Sequence, residues 1–71
     1  MKEVEQKILV LLEKQSLITT AELSKILGDS DGVDTALARL RQEGFIKKIE
    51  SLGTCWVITK KGLDVVKNLS P

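Results

Sequence analysis

The sequence predicts an α+β fold in one small domain: a bundle of three helices, then a two-stranded hairpin and a short last helix. Three observations predict it. Apolar residues recur at helical spacing through about the first 43 positions, and after Gly44 the pattern changes to alternation. A chain of 71 residues also supplies material for one core rather than two. The expected helices cover about 2–15, 20–27, 31–43 and 60–69, and the strands about 45–50 and 54–58, so residues 1–71 read as a single domain.

The first helix, roughly Lys2 to Gln15, carries Val4, Ile8, Leu11 and Leu12 on one stripe, widened by Leu9, with charged residues on the other side. Val10 falls away from that stripe, as a lone exposed valine or as a contact for a second copy. Ser16 to Thr20 form a connection from which Leu17 and Ile18 are expected to pack inward. Thr20 begins the second helix. It is a cap by residue type, while a cap one residue earlier gives Thr19-Thr20-Ala21-Glu22, the capping-box spacing. Ala21, Leu23, Ile26 and Leu27 are its apolar positions, and Gly28 stops it.

Gly28-Asp29-Ser30-Asp31-Gly32 consists only of turn formers and cappers, so Ser30 or Asp31 is expected to cap the third helix. Val33, Ala36, Leu37 and Leu40 lie within about a third of the helical circumference and should face the core. Thr35, Ala38 and Gln42 then point away from it, flanked by Asp34, Arg39 and Arg41, and Gly44 ends the helix. Phe45 to Glu50 and Thr54 to Ile58 read as the strands, joined by Ser51-Leu52-Gly53. Trp56 and Ile58 share the face assigned to the core. Thr59 caps the last helix, in which Leu63, Val66 and, at its end, Leu69 are expected to pack down. Ser70 and Pro71 mark the end of order.

Composition excludes several function classes. Eleven Lys and Arg stand against ten acidic residues, a net charge of +1, so a nucleic-acid interface would have to be arranged locally rather than carried by the total. The single cysteine, Cys55, excludes an internal disulfide, and with no His in the chain a zinc site has no ligand set. Neither metal nor cofactor is expected. There is no base, nucleophile or phosphate-binding loop with a positioned partner, so the chain is not expected to be an enzyme. Glu3, Glu5, Lys7, Glu13 and Lys14 interrupt any apolar core of a signal peptide. No apolar run approaches the roughly 20 residues of a membrane span. The expected compartment is the cytoplasm, or equally a nucleus, without membrane association.

Two short helices joined by a tight glycine-containing turn form a helix-turn-helix. Four stretches of the chain carry a wider resemblance: Thr20-Ala21-Glu22-Leu23, Val33 to Leu40, Arg41-Gln42-Glu43-Gly44-Phe45-Ile46, and Trp56 to Gly62. In that order and spacing, the chain resembles the winged helix-turn-helix DNA-binding domains of bacterial and archaeal transcription regulators, over nearly its whole length. The resemblance implies that the third helix enters the major groove of double-stranded DNA and that the hairpin, the wing, lies on the backbone or a neighbouring minor groove. Carried onto this chain, it makes Thr35, Ala38, Arg39 and Gln42 base-facing and Ser30 a phosphate contact. Lys47, Lys48, Lys60 and Lys61 are the remaining cations near that surface. A homodimer joined through the first and last helices, with Val10, Val65 and Leu69 as its apolar positions, would engage two half-sites.

The same residues admit a second reading. Thr35 and Gln42 also suit a solvated helix face, Arg39 and Arg41 can pair with Glu43, Asp34 or neighbouring acids, and the four lysines suit a soluble strand edge. Trp56 reads as a core or rim anchor rather than a base-stacking platform. From Asp29 to Glu43, four acids outnumber two arginines, and Asp29, Asp31 and Asp34 would repel phosphates where they favour the helix start. The wing tip Ser51-Leu52-Gly53 has no arginine. The alternative function is therefore a protein-interaction or RNA-contacting module within a larger assembly.

Overall fold

The computed structural model describes residues 2–50 and 53–69. Its elements run α1 (Glu3–Gln15), β1 (Ile18–Thr19), α2 (Thr20–Leu27), α3 (Ser30–Gln42), β2 (Ile46–Glu50), β3 (Thr54–Ile58) and α4 (Lys60–Leu69). Ser51, Leu52, Ser70 and Pro71 lie outside the described residues, and with them most of the expected turn and the expected end of order. Ile8, Leu9 and Leu12 of α1, Leu23 of α2, and Val33, Ala36, Leu37 and Leu40 of α3 form one buried cluster with Ile18, Ile46, Trp56 and Val66. Val4 and Leu11 are half-buried against it. The helical stripes drive this arrangement, because α1 and α2 each bury their apolar side against α3.

Polar side chains and glycines punctuate the helices. Thr19 caps α2, its Oγ1 accepting the Glu22 N–H at 3.1 Å, and Gly28 closes that helix at a left-handed φ of 72°. The cap of α3 is Asp29, whose carboxylate accepts the Gly32 N–H at 3.0 Å. The expected Ser30 or Asp31 cap is thus displaced by one or two residues, since α3 begins at Ser30 and the residue before it, outside the helical conformation, supplies the capping oxygen. Asp29→Ala is expected to lower stability by about 1 kcal/mol, read as an earlier urea midpoint with an unchanged slope. Gly44, at φ 82°, closes α3 with its own N–H donating to the Arg41 carbonyl and the Phe45 N–H donating to that of Leu40.

The sheet has three strands rather than the expected two, in the order β1-β3-β2, all antiparallel. Ile18 pairs with Trp56 and Trp56 with Lys48, so these three side chains share one face and form a row across the sheet. Ile18 and Trp56 are buried, whereas Lys48 lies at the outer end of the row. Thr19, Cys55, Ile49, Val57 and Lys47 fall on the opposite face.

Four apolar expectations are corrected. Leu17, Ile26 and Leu63 are exposed rather than packed inward, and Leu69 is exposed as well. Leu17 precedes a strand whose next residue, Ile18, takes the inward position. Ile26 borders an open groove between α1 and α2, lined also by Val10, Leu11 and Leu27. In α4 the buried positions are Gly62 and Val66. Thr59 joins three segments: its N–H donates to the Phe45 carbonyl, its hydroxyl donates to the Gly44 carbonyl at 2.7 Å, and the same oxygen accepts the Gly62 N–H.

Candidate nucleic-acid interface

Because Val33, Ala36, Leu37 and Leu40 turn inward, Thr35, Ala38, Arg39, Arg41 and Gln42 stand in solvent on α3. Their chemistry differs from what residue type alone suggests. The Thr35 hydroxyl donates to the Asp31 carbonyl one turn earlier at 3.0 Å, leaving the methyl group and oxygen lone pairs for an outside partner. Ala38 offers only a methyl group. The Arg39 Nε lies 3.8 Å from a carboxylate oxygen of Glu5 in α1. That partner is neither Glu43 nor Asp34, the neighbours to which sequence reasoning pointed. Glu5 itself is 4% exposed. The Ser30 side chain lies outside the described set.

The hairpin meets α3 along a groove. Asp34, Leu37, Ala38 and Arg41 of α3 form one wall, Lys48, Thr54 and Trp56 of the sheet the other, with Thr20 at the start of α2. The Trp56 indole N–H donates to the Thr20 hydroxyl at 2.8 Å, tying the first turn of α2 to the central strand. Lys48 is held by Glu50 on its own strand at 2.9 Å. That contact and the charge of Lys48, with a smaller contribution from Arg41, keep the Glu50 carboxyl below its ordinary range. The groove therefore contains Arg41 as a cation outside that ion pair.

The four lysines do not gather in one place. Lys47 projects from the sheet face opposite Lys48 and is exposed. Lys61 reaches back to the end of α3, its ammonium donating to the Glu43 carbonyl at 2.9 Å and lying 5.3 Å from the centroid of the Phe45 ring. A cation there complements the negative end of the helix, so Lys61 is bound up with α3. Lys60 is exposed at the start of α4. Sequence reasoning put Arg41 beside the outward side of α3 without assigning it to the site, and did not single out Thr20, Thr54 or Glu5 for it. For Thr20 and Thr54 no signal exists before the strand register is known. Glu5, by contrast, sits three residues before Ile8 and four before Leu9, on the buried stripe itself.

Among the described residues no helix is long and apolar enough to cross a membrane. No group of three or more His, Cys, Asp or Glu side chains among them is arranged to hold a metal ion.

No protein-family profile matches the chain, and no curated protein matches it significantly. Solved structures do. A mutant of Lactococcus lactis ZitR in apo form is 26% identical over 97% of this chain and 55% of its own, with a TM-score of 0.88. Another ZitR mutant, solved in complex with DNA, is 25% identical over 99% of this chain and 51% of its own, with a TM-score of 0.86. A mutant of MarR from E. coli, at 22% identity, covers 96% of this chain and 54% of its own with a TM-score of 0.88, a likeness of fold alone. The chain thus spans about half the length of these structures.

Proposed function

Because this chain is a winged helix-turn-helix domain, we propose that it binds double-stranded DNA as a transcriptional regulator. The third helix, α3, enters the major groove, and the hairpin rests on the backbone or a neighbouring minor groove. Thr35, Ala38, Arg39 and Gln42 face base edges. The methyl groups of Thr35 and Ala38 suit a thymine methyl, and the Arg39 fork suits guanine. Ser30 at the helix start, Lys47, Lys48 and Lys60 serve the phosphates, with Arg41 added to them from the groove, whereas Lys61, engaged by the Glu43 carbonyl, serves the end of α3. What carries this reading is the exposed outer side of α3 beside the hairpin. The likeness to a ZitR structure solved with DNA supports it.

The chain is read as non-enzymatic, since its sequence has no His and Cys55 sits on the central strand with no base assigned to it. Its place of work is where the DNA is, the cytoplasm or a nucleus. A second copy joined through α1 and α4 would set two α3 helices on paired half-sites. Leu63 and Leu69 are exposed apolar surface for that contact, whereas Val10 and Val65 are half-buried. Equilibrium sedimentation that finds only monomer at high protein concentration removes the dimer.

Mixed-sequence duplex DNA titrated with the protein tests the function. Binding is expected at about 20–50 mM salt and should weaken at least about tenfold by 200 mM, through release of condensed counterions. Arg39→Ala and Gln42→Ala should each lower affinity. Lys47→Ala should flatten the salt slope by about one unit, and Lys48→Ala by less, because a phosphate must compete with Glu50 for it. The exposed Asp29, Asp31 and Asp34 favour the protein-interaction reading, which takes first place if the low-salt titration shows no binding.

A further inference from the structure

We propose that Glu5 is a positioning residue for Arg39, holding its guanidinium to read the O6/N7 edge of a guanine rather than a phosphate. This rests on the DNA-binding reading and names which contact gives it sequence preference. Glu5 is the one buried charged side chain among the described residues. A carboxylate with most of its surface covered is favoured by a cation close by, and its ion-pair partner is Arg39 on α3, at 3.8 Å through Nε. That separation is a charge pair rather than a hydrogen bond. Approach through Nε leaves the two terminal amino groups as a planar fork, and the Arg39 side chain is 64% exposed, so the fork is open to a ligand.

The surroundings decide which ligand. Glu5, Asp29 and Asp31 line one pocket with Arg39, and Lys2 is the other cation there. Three carboxylates against two cations make this a poor place for a phosphate. A neutral pair of acceptors carries no net charge to repel, and guanine presents such a pair in the major groove at the spacing of the arginine fork. A carboxylate packed in α1 also restricts a long side chain that would otherwise lose much rotamer freedom on binding. Arg39 and Lys47 therefore do different work: the lysine adds to affinity for any duplex, and the arginine adds preference.

Two measurements test this, using Glu5→Gln, which keeps shape and removes charge. In the free protein, the drop in thermal midpoint caused by Arg39→Gln should be at least halved in the Glu5→Gln background, because the orphaned carboxylate is gone. Equal drops in both backgrounds would overturn the pairing. In selection from a random duplex pool at low salt, the native chain should enrich a guanine that Arg39→Gln no longer enriches, and Glu5→Gln should weaken that enrichment roughly three- to tenfold. Its affinity for unselected DNA should stay equal or rise. Guanine enrichment unchanged in Glu5→Gln overturns the proposal. If the native chain retains no duplex, the DNA-binding reading falls and this inference with it, whereas a missing stability coupling alone strikes only the role of Glu5.

Discussion

Alanine in place of Gly62 is expected to destabilise the fold by about 3 kcal/mol or more, although the same change on an isolated helix stabilises by up to about 1 kcal/mol. Gly62 is buried in the first turn of α4, where that helix crosses the root of the hairpin. A Cβ there would run into the Phe45 carbonyl oxygen and come within 2.7 Å of Ile58 Cγ1 and 3.1 Å of the Phe45 carbonyl carbon. The obstacle is backbone, not the end of a flexible side chain. The same carbonyl accepts the Thr59 N–H at 3.0 Å, so it cannot withdraw without loosening the joint between α3, the hairpin and α4. A domain of this size has a total stability near the lower end of about 5–15 kcal/mol, and the loss should leave a measurable unfolded fraction in water. Urea unfolding should show a much lower midpoint with an unchanged slope. A Gly62→Ala chain more stable than the native one would mean that α4 does not lie this close to the hairpin.

The fold was legible wherever an apolar period extends over several turns. The stripe Val33, Ala36, Leu37, Leu40 orients α3 without further information, and the end of helical spacing at Gly44, followed by two short β-prone runs around Gly53, announces the hairpin. The short elements were not. β1 is two residues long, too short for any period, and exists because Ile18 and Thr19 find partners in Trp56 and Cys55 far along the chain. Ile26 and Leu63 follow their helical stripes yet stay exposed, because a helix of eight or ten residues meets the core along only part of its length. Glu5 shows the opposite failure. Its position on the buried stripe was visible, but a charge is ordinarily assigned to water, and its partner belongs to another helix.

The candidate site was half legible. Which residues of α3 face outward follows from what must face inward, and the exposed Thr35, Ala38, Arg39 and Gln42 agree with that. How each cation is engaged depends on tertiary placement. Lys61 is drawn to the carbonyl end of α3 and Lys48 to Glu50, while Lys47 faces the other side of the sheet. Four lysines that look equivalent in the sequence are thereby sorted into one that stabilises the fold, one that must be released before it can bind, and two that are exposed. A near-neutral chain with few uncommitted cations should bind unselected DNA weakly and depend on groove contacts for the rest.

Trp56→Ala should cost about 3–5 kcal/mol, the second large effect, and it couples the core to the interface. Trp56 is 6% exposed on the central strand, beside Ile18 on one neighbour and Lys48 on the other. Its ring fills the space between the sheet and the helices and forms part of the groove wall facing Ala38 and Arg41. Removing it leaves a void and frees the Thr20 hydroxyl from the indole N–H. Trp56→Phe separates the two contributions. It keeps most of the apolar surface and deletes the hydrogen bond, so it should cost less, with about 1 kcal/mol of its loss due to the bond. The Phe variant should remain folded, with the start of α2 held to the sheet through the β1–β3 pairing alone. DNA affinity measured on folded Trp56→Phe should then fall more than its modest stability loss explains, since the start of α2 and the wing would lose the side-chain tie that adds to the β1–β3 pairing in fixing their arrangement before binding. Equal affinity for the native and Phe chains would show that this tie serves the fold alone. A Trp56→Ala chain as stable as the native one would remove the indole from the core.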